Sequence, residues 1–509
     1  MSSWTSGYVA DIGYIHGFYR ELTPTLLAFA ALMRGQRAPD VCSPLKYCEL
    51  GCGQGFSINL LAAANPQIEF FGTDFNPGHI VGAQALAAAA GTPNVHFFDQ
   101  SFAELLAETS LPSFDIISLH GIYSWISSEN RQTIVEFIRR RLKPGGLLYI
   151  SYNALPGWAA AMPLRRLLIE HANIATGPIG PRVEAALKFV SGLKEADPNF
   201  FRAQPAVGER IDKIKTVNRN YLAHEYFNRD WTPFYHSDVV NDLDEAKLSY
   251  VGSATLLENI DPVNFSPEQQ KTLADISDPG LRETIRDFMI NQQFRRDVFI
   301  KGAVPLSRPE AQRIWLDTRF ALSTRRADVP HKAKTSRGEV DLQLAFYAPI
   351  LDALADGPQT VRELLANKAV AALNWPTIQQ VLSVLVGMGQ LEPTLDARND
   401  AKRSQRTKAF NAVVMKRAEE SSDLGALASP VTGGGVTVDR FTLLFIAAQS
   451  MKQQDPVNWI WSIMNAQSQR LVKDGKTLES PEDNIAHLRS LNEEFVTKRS
   501  SVLHLLGVR

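Results

Sequence analysis

The run Tyr47-Cys48-Glu49-Leu50-Gly51-Cys52-Gly53-Gln54-Gly55 constrains this chain more than any other segment. A short apolar stretch ends in an acid and three alternate glycines, and residues 56–64 then follow a helical pattern. A strand that enters a helix through glycines presents free N–H groups at the helix start and lets a ligand approach the backbone closely. The pattern continues downstream. Residues 68–74 read as a second strand ending on Asp74, and residues 77–90 as a helix closed by Gly91. Residues 95–99, 114–119 and 146–151 read as a third, fourth and fifth strand, separated by helical patterns. Such alternation predicts an α/β fold with a parallel sheet covered on both faces.

Before this unit, residues 20–34 read as an amphipathic helix with Pro24 in its first turn, preceded by an aromatic segment, Tyr14 to Tyr19. After Trp158 the pattern turns helical to about residue 228. A further helix from Ser237 leads into a sixth strand at 249–253, and residues 296–302 give a seventh after a helical stretch at 266–292. One sheet unit to about residue 302 is therefore expected, with helical insertions at 159–235 and 255–293. From Asp341 three helices (342–355, 360–366 and 376–388) precede a wing-like strand at Gln390. Their order and spacing look like a winged helix, and the remainder to Arg509 reads as mostly helical.

The acids carry the chemistry. A dinucleotide loop reads G-x-G-x-x-G and lacks an acid before its first glycine. Glu49 there repels a pyrophosphate and suits a cationic amino group. Asp74 is placed to accept bonds from both ribose hydroxyls, and Asp99 from an adenine amino group. Each acid alone also reads as a helix N-cap. Together they define a cleft for a cationic, adenosine-containing ligand without phosphate, which S-adenosyl-L-methionine matches.

Residues 47–151 resemble a class I S-adenosylmethionine-dependent methyltransferase core. The motifs His120-Gly-Ile-Tyr-Ser-Trp125, Ser151-Tyr-Asn-Ala-Leu-Pro-Gly-Trp158, Tyr221-Leu-Ala-His-Glu-Tyr-Phe-Asn228 and Phe294-Arg-Arg-Asp-Val-Phe299 resemble a bacterial subfamily with a methyltransferase regulatory domain. It includes the rickettsial lysine methyltransferases that modify outer-membrane proteins. The resemblance implies a Rossmann-like methyltransferase sheet with helical insertions, followed by a mainly α, winged-helix-like C-terminal domain. Its boundaries are a cofactor-binding core at 1–158, a helical regulatory region completing the sheet at 159–302, a linker at 303–340 and the tail at 341–509.

It also implies an enzyme that converts S-adenosyl-L-methionine to S-adenosyl-L-homocysteine. Glu49, Gly51, Gly53 and Asp74 map onto the cofactor positions, as does Asp99, with Ser101 or Phe102 beside the adenine. Tyr14 and Tyr19 join them from the aromatic start. His120 follows the fourth strand, where the acceptor meets the cofactor. Leu119-His-Gly replaces the [DN]-Pro-Pro-[FY] motif of many adenine and glutamine N-methyltransferases, which counts against those acceptors.

The acceptor class, a protein lysine, rests on the resemblance. Small-molecule methylation and a silent cofactor-sensing scaffold are the other readings. A lysine must be deprotonated, at a cost of roughly 4.6 kcal/mol at pH 7, and an apolar, aromatic channel eases that by desolvation. His120, Tyr123, Tyr152 and Asn153 are the candidates for orienting the acceptor, and Trp125 and Trp158 for lining the channel or simply for the core. His224 and Glu225 read either as a proton-accepting pair or as structural helix residues.

Composition closes off other classes. Lys plus Arg total 53 against 54 Asp plus Glu, too balanced for non-specific phosphate binding. Helix 376–388 carries no Lys or Arg, so the tail suits a protein contact or a homodimer better than nucleic acid. The stretch 398–417 holds seven bases against Asp400 and reads as a solvated linker or a contact for an acidic partner. Three cysteines with no zinc spacing argue against a metal site and for a reducing compartment. No spanning helix and no secretory signal are expected, which points to the cytoplasm.

Overall fold

The computed structural model describes residues 15–217 and 219–508. Seven strands form the central sheet: β1 (Leu45–Leu50), β2 (Ile68–Asp74), β3 (Val95–Asp99), β4 (Phe114–Leu119), β5 (Leu142–Asn153), β6 (Leu248–Ser253) and β7 (Phe294–Lys301). Their order is β3-β2-β1-β4-β5-β7-β6. β1 to β5 run parallel, and β7 lies antiparallel to both β5 and β6, so the sheet is mixed at one edge. The central strands are buried on both sides, as continuous apolar runs require. Chain order reverses between β1 and β4, and a cleft opens there beyond the carboxyl ends of the strands.

Helices α1 (Pro24–Met33), α2 (Phe56–Ala64) and α3 (Pro77–Ala90) flank this cleft's core. Every residue of α2 is buried. α3 starts at Pro77, with the Asn76 side chain accepting from Gly78 N at 3.0 Å, and ends at Gly91 with φ 60°. α4 (Phe102–Ala107) and α5 (Ser128–Arg141) pack against each other on the sheet's other side. Five helices then follow: α6 (Met162–Ile174), α7 (Ile179–Glu195), α8 (Asn199–Ala203), α9 (Pro205–Lys215) and α10 (Arg219–Tyr226). They enclose a separate apolar core that includes Leu168, Val183, Val190, Ile211 and Leu222.

The stretch expected as a linker at 303–340 holds the helix Arg308–Asp317, the strand Arg319–Leu322 and a hairpin. Strand Arg319–Leu322 pairs antiparallel with both Gln359–Thr360 and Leu391–Thr394. The expected wing-like strand therefore pairs with a strand that precedes the three helices. The basic stretch 398–417 is no solvated linker. It forms the helix Asp400–Ala418, which buries Thr407, Phe410, Asn411 and Val414 and packs on α2 and α3, with Asn411 paired to the Ala428 backbone. Phe410 stacks on Phe56 with ring centroids 6.1 Å apart. The basic residues line its solvated side, except Arg403. Arg403 is buried and donates to Pro430 O at 2.8 Å. One apolar core thus runs from α1 and α2 into the C-terminal helices. No helix among the described residues is long and apolar enough to cross a membrane.

Candidate active site

The cleft begins at the glycine loop. Gly51, Gly53 and Gly55 all have positive φ, at 72°, 53° and 67°, which glycine adopts without strain. Gly51 N and Cys52 N donate to Thr73 O, and Gly53 N donates to Asp74 Oδ2 at 2.9 Å. Asp74 Oδ1 accepts from Asn76 N at 2.9 Å and lies 3.2 Å from His79 Nδ1. The Asp74 carboxylate is thereby fixed at the rim of a cavity also lined by Glu49, Gly51, Gly53, Ser57, His79, Phe102, His120 and Trp125.

Glu49 is 4% exposed, and its Oε2 has no hydrogen-bond partner among the described residues. Burial, with repulsion from Asp74, pushes its carboxyl up to about 8. A buried carboxyl oxygen without a partner fits the cationic amino group of S-adenosylmethionine, and a fixed acid on β2 fits its ribose hydroxyls.

Residues 15–19 cross this cavity as a strap. Ser57 Oγ donates to Gly17 O at 2.9 Å and accepts from Tyr19 N at 3.1 Å. The Tyr19 ring lies 3.9 Å from that of His120. Immediately beyond, Arg20 Nε pairs with Glu392 Oε1 at 2.5 Å, tying the strap to the C-terminal region.

A second cavity of about 680 Å³ adjoins the first and shares Tyr19, His120, Gly121 and Trp125 with it. Its other walls come from β5 (Asn153), the segment after β5 (Trp158), α9 (Arg210), α10 (Glu225, Tyr226) and the start of β7 (Phe294, Arg296). Exposed Ala206, Glu209 and Lys213 form its rim. The Arg210 guanidinium lies 3.9 Å from the Trp158 ring centroid and donates to Tyr226 Oη at 2.8 Å. His120 Nδ1 is 2.8 Å from Tyr149 Oη. Burial, reinforced by Arg296, lowers the His120 pKa to about 3, so the imidazole stays neutral.

Of the residues singled out from sequence, Tyr19, Glu49, Gly51, Gly53, Asp74, Phe102 and His120 meet at the first cavity, and Asn153 lines the second. Tyr123 and Tyr152 line neither cavity. Tyr123 is buried and donates to Asp242 Oδ2 at 2.7 Å. Tyr152 donates to Asp297 Oδ2 at 2.6 Å on the sheet's opposite face. Strand alternation explains this: Tyr149, Ser151 and Asn153 share one face of β5, and Tyr152 the other. Asp99 stands beside Asp74 in register but is exposed and outside the cavity. The Ser101 hydroxyl caps α4, accepting from Glu104 N at 3.3 Å. Tyr14 lies outside the described residues. Sequence reasoning missed His79, Ser57, Tyr149 and Arg210. Only His79 carried a signal, its place in the first turn after Asp74.

Comparison with known proteins adds to this geometry. A family model described as a methyltransferase domain matches residues 48–148, and one described as a predicted methyltransferase regulatory domain matches residues 218–301. An uncharacterised Synechocystis protein is 42% identical over 506 residues, 99% of this chain and 100% of its own. An uncharacterised Rickettsia prowazekii protein is 26% identical over 293 residues, 57% of this chain and 52% of its own. The structure of PKMT2 from Rickettsia typhi in complex with AdoHcy is similar in fold at a TM-score of 0.70 and 18% identity, covering 97% of this chain and 100% of that one.

Proposed function

The chain belongs to the family of S-adenosylmethionine-dependent methyltransferases with a methyltransferase regulatory domain, and on that footing we propose that it methylates lysine side chains of protein substrates. One observation carries the reading: the cofactor cavity adjoins, across the shared walls of Tyr19, His120, Gly121 and Trp125, a second cavity whose far rim is solvent-exposed. On this reading the second cavity receives a long side chain from a substrate that stays outside. Bound S-adenosylmethionine supplies an activated methyl group on sulfur. The protein's work is to hold Glu49 and Asp74 on the cofactor and to align the acceptor at the threshold. The aromatic walls of Trp125, Trp158, Tyr226 and Phe294 exclude water and favour a neutral amine.

The resemblance to rickettsial lysine methyltransferases supports the same acceptor. The cytoplasm is the proposed location, and a homodimer the proposed assembly. The test is incubation with methyl-tritiated S-adenosylmethionine and a bacterial protein extract, followed by acid hydrolysis and amino-acid analysis. Label recovered as methyllysine supports the reading. Label recovered as methylarginine, released as volatile methanol from a carboxyl ester, or found in free metabolites contradicts it.

A further inference from the structure

Resting on the lysine reading above, we infer that Glu225 takes the proton from the acceptor's ammonium before methyl transfer. A lysine entering the cleft is a cation at neutral pH and must be neutralised before it can attack. The charged and titratable groups around the cleft are His120, His224, Glu225, Glu209, Lys213, Arg210 and Arg296, with the phenols of Tyr19 and Tyr226, and with Arg165 facing Glu225 from α6. His224 is buried beside Glu225 on α10, behind the more exposed carboxyl. His120 is too weak a base, for the reasons of burial and Arg296 given above. Glu209 and Lys213 stand on the exposed rim of α9.

Glu225 is different. It sits half-buried in the α10 wall, opposite the Asn153 amide. Burial pushes its carboxyl up to about 7, against the opposing pull of Arg210, Asn153 and Arg165. Both guanidiniums are held by other partners. Arg210 is fixed on Trp158 and Tyr226. Arg165 donates to Asn228 O at 2.8 Å and covers the Trp231 ring at 4.4 Å. A proton acceptor works best with its pKa near the working pH, and Glu225 meets that condition where His120 does not.

The step balances. One ammonium proton passes to the Glu225 carboxylate. The freed nitrogen lone pair forms the N–C bond while the methyl–sulfur bond breaks, its electron pair staying on sulfur. The products are a methylammonium and AdoHcy, and the Glu225 proton leaves through the solvent-facing rim. Activity then requires Glu225 ionised and the free acceptor protonated. The rate rises with pH through about 7 and holds level until lysine itself titrates near about 10.4.

The test uses the full-length protein, a degenerate heptapeptide pool with a central lysine, and tritiated S-adenosylmethionine from pH 5.5 to pH 10. Wild type is expected to show a kcat/KM plateau above about pH 7. E225Q is expected to fall about 10²–10⁴-fold at pH 7 and to climb with unit slope towards pH 10. E225D is expected to restore the break. AdoHcy affinity is expected to be unchanged in E225Q, and its thermal midpoint at pH 7 to be no lower than that of wild type, because the variant removes a buried carboxyl that is costly to ionise. Wild-type rates and an unaltered profile in E225Q overturn the assignment, as does a loss that tracks lost AdoHcy binding or lost folding. Wild type that labels no peptide overturns the lysine reading itself, and the role of Glu225 with it.

Discussion

Substituting Glu49 by Gln separates cofactor binding from stability, because the two effects have opposite signs. The Glu49 carboxyl is held up to about 8 by burial and by Asp74. Without ligand it is therefore mostly neutral at pH 7. A cationic amino group needs it ionised, so binding expels a proton. Affinity for AdoHcy is expected to rise about tenfold between pH 6 and pH 7, and a tenfold change is about 1.4 kcal/mol. At higher pH, once the ligand's own amino group deprotonates, affinity falls again. Glu49→Gln removes the rise and weakens binding at pH 8 by about 1.5–3 kcal/mol, the worth of a charge-assisted hydrogen bond.

Stability moves the other way. An unfolded glutamate titrates near about 4.3, and the folded one keeps its proton up to about 8. The folded state holds the extra proton, so wild-type stability falls as pH rises between these values, by roughly 3–4 kcal/mol at pH 7. Ligand-free Glu49→Gln is therefore expected to be the more stable protein at pH 7 and above, and the weaker binder. Calorimetric titration and urea unfolding across pH 6–9 measure both. A pH-independent wild-type affinity, or a variant that loses stability and binding together, refutes the reasoning.

Three further outcomes are expected. His79→Ala frees the Asp74 carboxylate from its 3.2 Å partner and is expected to weaken AdoHcy binding about tenfold in calorimetry, with the unfolding midpoint little changed. Phe410→Ala removes the ring stacked on Phe56 and is expected to cost about 3–5 kcal/mol in urea unfolding; truncation at residue 341 exposes α2 and is expected to abolish cofactor binding. Asp297 is fully buried. Burial opposes its charge, but Arg295 and His236 prevail and lower its carboxyl to about 2. Its folded pKa lies below the unfolded value, so its contribution is present above about pH 4 and is lost as pH falls towards 2; Asp297→Asn is expected to cost about 3–5 kcal/mol at pH 7 and to flatten acid unfolding over that window.

The parallel strands were legible because a strand buried between helices reads as a short, mostly apolar run, whereas the antiparallel setting of β7, whose run carries Arg295, Arg296 and Asp297, was not. The α3 boundaries were legible because Asn76, Pro77 and Gly91 each fix a backbone condition. Phase within β5 was not, since both its faces are buried, and Tyr152 and Asn153 therefore looked equivalent. The helix Asp400–Ala418 looked solvated because its buried side includes Arg403, Thr407 and Asn411, made compatible with burial by backbone acceptors that only the fold supplies. The second cavity was legible only in its parts. Asn153, Trp158, His224 and Glu225 stood out in the sequence, but with Arg210 and Phe294 they come from four separate segments, and no sequence spacing announces that these converge.

A crystal structure with AdoHcy tests the central claim most directly, that the two adjoining cavities form one methyl-transfer site. The account predicts the AdoHcy amino group at Glu49, its ribose at Asp74 and its sulfur at the Tyr19–His120–Trp125 threshold, facing Asn153 and Glu225. AdoHcy bound elsewhere, or with its sulfur turned away from the second cavity, would contradict it.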